Sequence, residues 1–225
     1  MNTPSIAAVA FTYMPYMAVF GFLAAWMYRW GILRNDRGPR VGGISAASEG
    51  ALLIGFSTLV VGHVTTALAP GAMRALMGDL ERVAVIETVG LVGAMLFSWG
   101  VGARLRQRWA ALRAGVPQQE TRVLVLALLL LSSLLGIYLT VRYRWITAWY
   151  AYVSVPYVRS LFVMEPQPAS IVASPFAVQL HVLVFMALVA SWPMAGLDWE
   201  ELFPVKGVAR RIAEAAPAAP GEAAR

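Results

Sequence analysis

The sequence contains no cysteine, and this absence excludes several kinds of metal and redox site. Without a thiolate, the chain cannot ligate an iron–sulfur cluster, form a disulfide or attach haem covalently through a C-x-x-C-H motif. Any haem that the chain binds is therefore non-covalent, and any iron–sulfur relay beyond it belongs to a partner protein.

Charged residues are also scarce, since they make up 13% of the 225 residues whereas 59% are hydrophobic. A soluble domain carries about 25% charged residues, so the composition predicts an integral membrane protein. The formal net charge of +6 does not require a nucleic-acid partner. In a membrane protein, such a charge is explained by arginine clusters that set the topology and contact anionic lipid.

Five apolar runs are long enough to cross a bilayer, and the first shows no cleavage signature of a signal peptide. The predicted fold is all-α and integral to the membrane, a bundle of five transmembrane helices over residues 1–205. A polar, disordered cytoplasmic tail is expected at residues 206–225. The predicted spans are residues 6–28, 49–68, 83–103, 123–141 and 175–194.

The distribution of arginine predicts the orientation of the bundle. The connections after the first and third spans, residues 29–40 and 104–113, are strongly basic, whereas the connection after the second is balanced. The positive-inside rule therefore places the N-terminus outside and the C-terminus inside the cell. The connection before the fifth span is rich in Trp and Tyr, which predicts an interfacial or docked segment on the outer side.

The two histidines of the chain each lie within an apolar run, His63 in the second span and His181 in the fifth. These spans are antiparallel, and both residues lie about 10 Å below the outer surface at a rise of 1.5 Å per residue. Two imidazoles at equal depth suit the axial positions of one haem iron, with Gly62, Gly90 and Gly93 allowing close approach of the flat ring. The alternative is that each ring hydrogen-bonds to a nearby backbone carbonyl or serine.

One acidic residue and several arginines on the same side are further candidates. Glu87 lies about one turn into the third span and is a candidate acceptor of a proton from quinol. The alternatives are an ion pair with Arg82 or another outer arginine, or an interfacial position if the span starts later. Arg142, Arg144 and Arg159 are candidates for binding haem propionates, because guanidinium pairs bidentately with carboxylate. Contact with lipid headgroups is the alternative for each of them.

Several short motifs occur in the order and spacing of a known family. They are Tyr-Met-Pro-Tyr at 13–16, Val-Gly-His at 61–63 followed by Ala-Pro at 69–70, and Leu-His at 180–181 followed by Trp-Pro at 192–193. The family has Tyr-Pro-Tyr, Val-Gly-His with Thr-Pro, and Leu-His with Phe-Pro at these places. In this pattern the chain resembles the gamma subunit of respiratory nitrate reductase, a cytochrome b membrane anchor, over nearly its whole length.

The resemblance implies how many haems the chain holds. In the family, four histidines bind two b haems stacked across the membrane, and His63 and His181 match the ligands of the outer haem. The ligands of the inner haem fall at Leu53 and Trp199, which do not coordinate iron in that way. We therefore expect one haem b.

The family's quinol-site lysine falls at or beside Val83, so Arg82 is the nearest basic residue and joins Glu87 as a quinol-site candidate. The resemblance implies a non-catalytic, multi-pass subunit of the prokaryotic cell membrane that serves anaerobic respiration. It would pass electrons between quinol or quinone and the iron–sulfur and molybdenum-type catalytic subunits of a nitrate-reductase-like complex.

Without an inner haem, we expect the catalytic partner on the outer side, the alternative being a relay that a partner subunit supplies from inside. Two other functions stay open, a haem-free membrane anchor or scaffold of such a complex and a small transporter.

Overall fold

The computed structural model of the chain describes residues 5–31, 41–197 and 199–215. Five of its helices are long and apolar enough to cross a membrane, so the prediction of an all-helical protein with five spans is confirmed. The helices are α1 (Ile6–Gly31), α2 (Ala46–Leu68), α3 (Pro70–Leu76), α4 (Leu80–Arg113), α5 (Glu120–Arg142), α6 (Ile146–Trp149), α7 (Val155–Phe162), α8 (Ala169–Val172), α9 (Phe176–Ala195), α10 (Trp199–Leu202) and α11 (Val205–Ala215), with a π-helical turn (Tyr150–Ser154) between α6 and α7.

Local sequence sets several helix ends. Ser45 caps α2, since its hydroxyl accepts a hydrogen bond from the backbone N–H of Ser48 at 3.2 Å. Asp79 caps α4 by accepting from the N–H of Glu81 at 2.8 Å. Such caps satisfy N–H groups that have no partner within the helix. At the other end of a span, Gly196 adopts φ of 54° after the last residue of α9, a conformation that glycine takes at little steric cost.

The spanning helices pack in an order different from their order in the chain. Helix α2 packs against α4, α4 against α5, α5 against α9, and α9 against α1. Among the described residues, α2 and α9 have no extended contact with each other. The bundle has a His63 end, where α2 and α5 finish and α4 and α9 begin, and an opposite Glu49 end.

Glycine allows the close contact between α2 and α4. A Cβ atom at Gly100 would lie 2.6 Å from the Cβ of Leu52, and one at Gly55 would lie 2.6 Å from the carbonyl oxygen of Gly93. Both distances are shorter than side-chain atoms tolerate, so only glycine lets these backbones approach as they do.

The main hydrophobic core lies towards the Glu49 end. It joins α2, α4, α5 and α9 with Leu202 of α10, which is fully buried. Its buried members are Leu52, Phe97, Val101, Val125, Leu126, Leu129, Leu188, Ala195 and Leu202.

Helix α4 is longer than the predicted span of residues 83–103, because it continues through the basic stretch to Arg113. The sequence places these arginines in a connection, but Arg104 and Arg108 are buried on the helix. The Nη2 atom of Arg108 lies 2.6 Å from Oε2 of Glu201, and Arg104 lies 3.9 Å from Glu49. Acidic partners from α2 and α10 therefore hold these side chains inside the protein.

The structure also differs from the expected disordered tail at residues 206–225, because Val205–Ala215 is a helix. The Nε atom of Arg211 donates to Oε2 of Glu49 at 3.2 Å, which attaches this helix to α2. Residues 216–225 of the predicted tail lie outside the described residues.

Candidate haem site

His63 lies in the last two turns of α2, and it is exposed at the helix surface. Its Nδ1 atom lies 2.9 Å from the carbonyl oxygen of Leu59, one turn earlier in the same helix. No described residue hydrogen-bonds its Nε2 atom. A backbone carbonyl on one ring nitrogen is a common way to orient a metal-binding histidine and to leave the other nitrogen for the metal. This hydrogen bond is therefore expected both of a structural histidine and of a metal ligand, and it does not distinguish the two.

His181 lies on α9 and is largely enclosed by protein. The backbone of Ser132 on α5 lies within reach of its ring. Its Nδ1 atom is buried and has no hydrogen-bond partner among the described residues. Buried polar atoms without partners are uncommon in folded proteins and call for an explanation such as an ion or a cofactor.

The fold brings these two rings to the same region, since His63 is close enough to His181 to affect it electrostatically. The helices that carry them, α2 and α9, do not pack closely on each other. Helix α5 lies beside His181, since a Cβ at Gly136 would lie 3.8 Å from Cε1 of His181. In the described part of the chain, no three His, Cys, Asp or Glu side chains cluster around a possible metal. Two histidines still suffice for haem, because the porphyrin supplies the other four ligands.

The three predicted glycines differ in their surroundings. A Cβ atom at Gly62 or Gly90 would meet no described atom within 4 Å, so both positions face open space. A Cβ at Gly93 would lie 2.6 Å from Cγ2 of Thr58, so Gly93 serves the contact between α4 and α2. A role of these glycines beside a haem stays a prediction.

Glu87 makes a contact that sequence reasoning missed. Its Oε1 atom accepts a hydrogen bond from the backbone N–H of Thr147 at 3.2 Å. This bond attaches α4 to the start of α6 in the aromatic connection. The ion pair with Arg82 is not among those of the described residues, and the side chain of Arg82 is exposed.

The three arginines considered for propionates are all exposed. Arg142 has its guanidinium carbon 5.4 Å from the centre of the Tyr143 ring. Within the part of the chain that the structure describes, no carboxylate pairs with Arg142, Arg144 or Arg159. Their function stays a prediction.

The aromatic connection folds over the His63 end. Tyr150, in the π-helical turn, places its ring centre 5.3 Å from that of His63. Tyr157 donates from its hydroxyl to the carbonyl of Phe11 at 2.7 Å, and burial, together with nearby Tyr16, raises the pKa of Tyr157 to about 12. This phenol therefore stays protonated and holds the connection to α1.

Sequence reasoning missed Ser132, Gly136 and Tyr150 around the histidines. The density of aromatic residues at 145–162 was a signal for Tyr150, because it indicated a docked segment. No periodicity or motif distinguished Ser132 or Gly136 within the leucine-rich fourth span.

At the Glu49 end, where the resemblance aligns the ligands of a second haem, several apolar side chains pack together. Leu53 is half-buried on α2, and position 199 lies in the separate helix α10, beyond the end of α9. The ring of Phe56 packs 5.8 Å from that of Phe97 and 6.0 Å from that of Phe203. These rings form an apolar contact between α2, α4 and the segment after α10.

Comparison with known proteins identifies the family. A sequence profile of the nitrate reductase gamma subunit matches residues 7–212, which is most of the chain. No curated protein and no solved structure matched the chain. The chain therefore belongs to the nitrate reductase gamma subunit family, whose members are prokaryotic cytochrome b membrane anchors of quinol-linked nitrate reductase.

Proposed function

We propose that this chain passes electrons between quinol or quinone and a nitrate-reductase-type catalytic partner through a single haem b held by His63 and His181. The observation that carries the proposal is the buried Nδ1 atom of His181, which lacks a partner among the described residues and lies close to the only other histidine. The haem, when bound, supplies one-electron transfer. The protein supplies two imidazoles from two helices and a pocket border at Gly136 without a side chain.

The hydrogen bond from the His63 ring to Leu59 fixes which nitrogen of His63 is available. With Nδ1 donating to the carbonyl of Leu59 at 2.9 Å, Nε2 carries the lone pair that can bind iron. The Tyr150 ring limits rotation of the same imidazole. These contacts orient the ligand before the cofactor binds.

A single haem is favoured because the chain has no third histidine that could ligate a second haem at the Glu49 end. Leu53 cannot donate to iron, and α9 ends at Ala195, so position 199 is not on the spanning helix. The packed rings of Phe56, Phe97 and Phe203 support the same conclusion.

Glu87 is the proposed acceptor of the quinol proton, with Arg82 as the nearest basic residue. The carboxylate of Glu87 is half-buried. One of its oxygens accepts from the N–H of Thr147, and the other is available for a substrate hydroxyl.

The haem propionates are proposed to bind three exposed arginines, Arg142, Arg144 and Arg159. These residues lie on the side of the bundle where α5 ends and the connection folds.

The proposed orientation has the N-terminus and the His63 end outside and the Glu49 end inside the cell, following the positive-inside rule. The catalytic iron–sulfur and molybdenum-type subunits then dock on the outer side, over the aromatic connection. A partner that supplies a relay from the inner side is the alternative.

The orientation can be tested by labelling single thiols, because the chain has no cysteine. Glu165→Cys would introduce one thiol at the His63 end, and Arg106→Cys would introduce one at the Glu49 end. An impermeant maleimide should label the first in intact spheroplasts and the second only after permeabilisation, and the reverse pattern would refute this orientation.

The haem content of the purified chain tests the function. The pyridine haemochrome of the native chain should give one haem b per polypeptide, and His63→Ala and His181→Ala should each lose it. Ser191→Ala, on the same helix as His181 but with its hydroxyl bonded to Ala187, is the matched control and should keep it. A native chain without haem would leave the alternative of a haem-free anchor.

A further inference from the structure

Helix α11 has two faces that differ in what they contact. Gly207 and Arg211, four residues apart, share one face, because the α-helix repeats every 3.6 residues. Arg211 donates to Glu49, and a Cβ at Gly207 would lie 3.2 Å from Oε2 of the same carboxylate. This face is therefore attached to the end of α2.

The opposite face of α11 is apolar, and no described residue covers it. Val205, Ala209 and Ile212 follow each other at spacings of four and three residues, so they form one stripe. All three are exposed, and Ile212 keeps 67% of its surface accessible. Two basic residues, Lys206 and Arg210, flank the stripe on the side away from Val208.

The position of α11 relative to the spans indicates what covers this stripe. Glu49 lies in the first turn of α2, a candidate membrane span. The contact with Glu49 therefore holds α11 at the level where α2 enters the bilayer. An amphipathic helix at that level, with basic flanks, has the features of helices that lie in the plane of a membrane surface.

We propose that α11 lies in the lipid interface at the Glu49 end, with Val205, Ala209 and Ile212 among the acyl chains and the basic flanks against anionic headgroups. The Arg211–Glu49 ion pair sets its depth. This proposal does not depend on the number of haems or on the direction of electron flow.

The absence of cysteine makes a direct test possible. Ile212→Cys and Lys206→Cys variants of the full chain carry one nitroxide each, and Met95→Cys, on the exposed surface near the middle of α4, is the deep reference. Power-saturation EPR in nanodiscs of phosphatidylcholine, with and without phosphatidylglycerol, measures accessibility to oxygen and to a nickel chelate. A single peak in size exclusion and an unchanged thermal unfolding midpoint show that each variant is folded.

We expect the ratio of oxygen to nickel-chelate accessibility to be several-fold higher at position 212 than at position 206, and to rise further at 212 when anionic lipid is present. Equal ratios at both positions would place the stripe in water and overturn the proposal. A label at 212 that neither reagent reaches would mean that protein covers the stripe, and would overturn it too. If the ratio at position 212 does not change with phosphatidylglycerol, the basic flanks do not bind anionic headgroups, and that part of the proposal is wrong.

Discussion

The ring of Tyr150 lies with its centre 5.3 Å from that of His63, at an interplanar angle of 59°. This contact joins a spanning helix to the π-helical turn of the connection between α5 and α9. The residue that limits the rotation of a proposed iron ligand thus comes from a segment distant in sequence.

Replacing Tyr150 tests this relationship. Tyr150→Ala should lower haem content and shift the reduction potential, because the His63 ring loses the neighbour that limits its rotation. Tyr150→Phe keeps the ring, so its haem content and reduction potential should remain close to those of the native protein. A redox titration followed by the reduced-minus-oxidised spectrum measures the effect, and identical titrations for Tyr150→Ala and the native chain would show that the contact is incidental.

Glu87→Gln should slow quinol oxidation while the fold is retained. The amide oxygen of glutamine still accepts the hydrogen bond from Thr147, but a neutral amide does not take the quinol proton. The measurement is the rate of haem reduction by a quinol analogue, with thermal unfolding as the structural control. Native reduction rates in Glu87→Gln would exclude Glu87 as the proton acceptor.

Arg122→Ala should destabilise the Glu49 end. The Nε of Arg122 donates to the carbonyl of Ala195 at 3.1 Å and Nη2 donates to that of Gly196 at 3.3 Å, so this arginine satisfies the end of α9. Leaving such buried carbonyls unpaired costs about 1–3 kcal/mol of unfolding free energy. Arg113→Ala, at an exposed arginine on α4, should change stability little in the same detergent unfolding titration. Equal unfolding midpoints for Arg122→Ala and Arg113→Ala would contradict the role of Arg122 at the end of α9.

Glu201→Ala should be more harmful than Glu200→Ala. Arg108 is buried, and its Nη2 lies 2.6 Å from Oε2 of Glu201, so removing that carboxylate leaves a buried charge unpaired. Breaking a buried ion pair in this way costs about 3–5 kcal/mol. Among the described residues, Glu200 accepts hydrogen bonds from the backbone N–H groups of Lys206 and Gly207. Denaturation midpoints of the two variants compare the effects, and a larger shift for Glu200→Ala would be inconsistent with the ion pair.

Gly100→Val should separate α2 from α4. Its Cβ would lie 2.6 Å from the Cβ of Leu52, and both helices contribute to the main core. Overpacking of this kind costs about 1–3 kcal/mol. Gly102→Val is the control, because a Cβ at Gly102 meets no described atom within 4 Å. A thermal unfolding series that ranks Gly102→Val below Gly100→Val would argue against the close approach.

The number of spans and the choice of His63 and His181 follow from the amino-acid sequence alone. Long apolar runs have few alternatives to a membrane helix, because lipid requires every backbone polar group to be satisfied within the segment. A chain with two histidines leaves no other pair of imidazoles to consider. The family motifs around residues 61–63 and 180–181 were also readable without any structure, since they depend only on order and spacing.

Which helices are neighbours and which polar groups are buried is visible only in the folded chain. The arginines at 104 and 108 have the composition of a solvated loop, yet carboxylates from α2 and α10, distant in sequence, hold them inside the protein. Gly136 and Ser132 lie beside His181 because α5 packs on α9, and a leucine-rich helix has no periodic signal that indicates which face does so. Contacts of this kind depend on the packing of segments far apart in the chain, and local hydropathy carries no information about them.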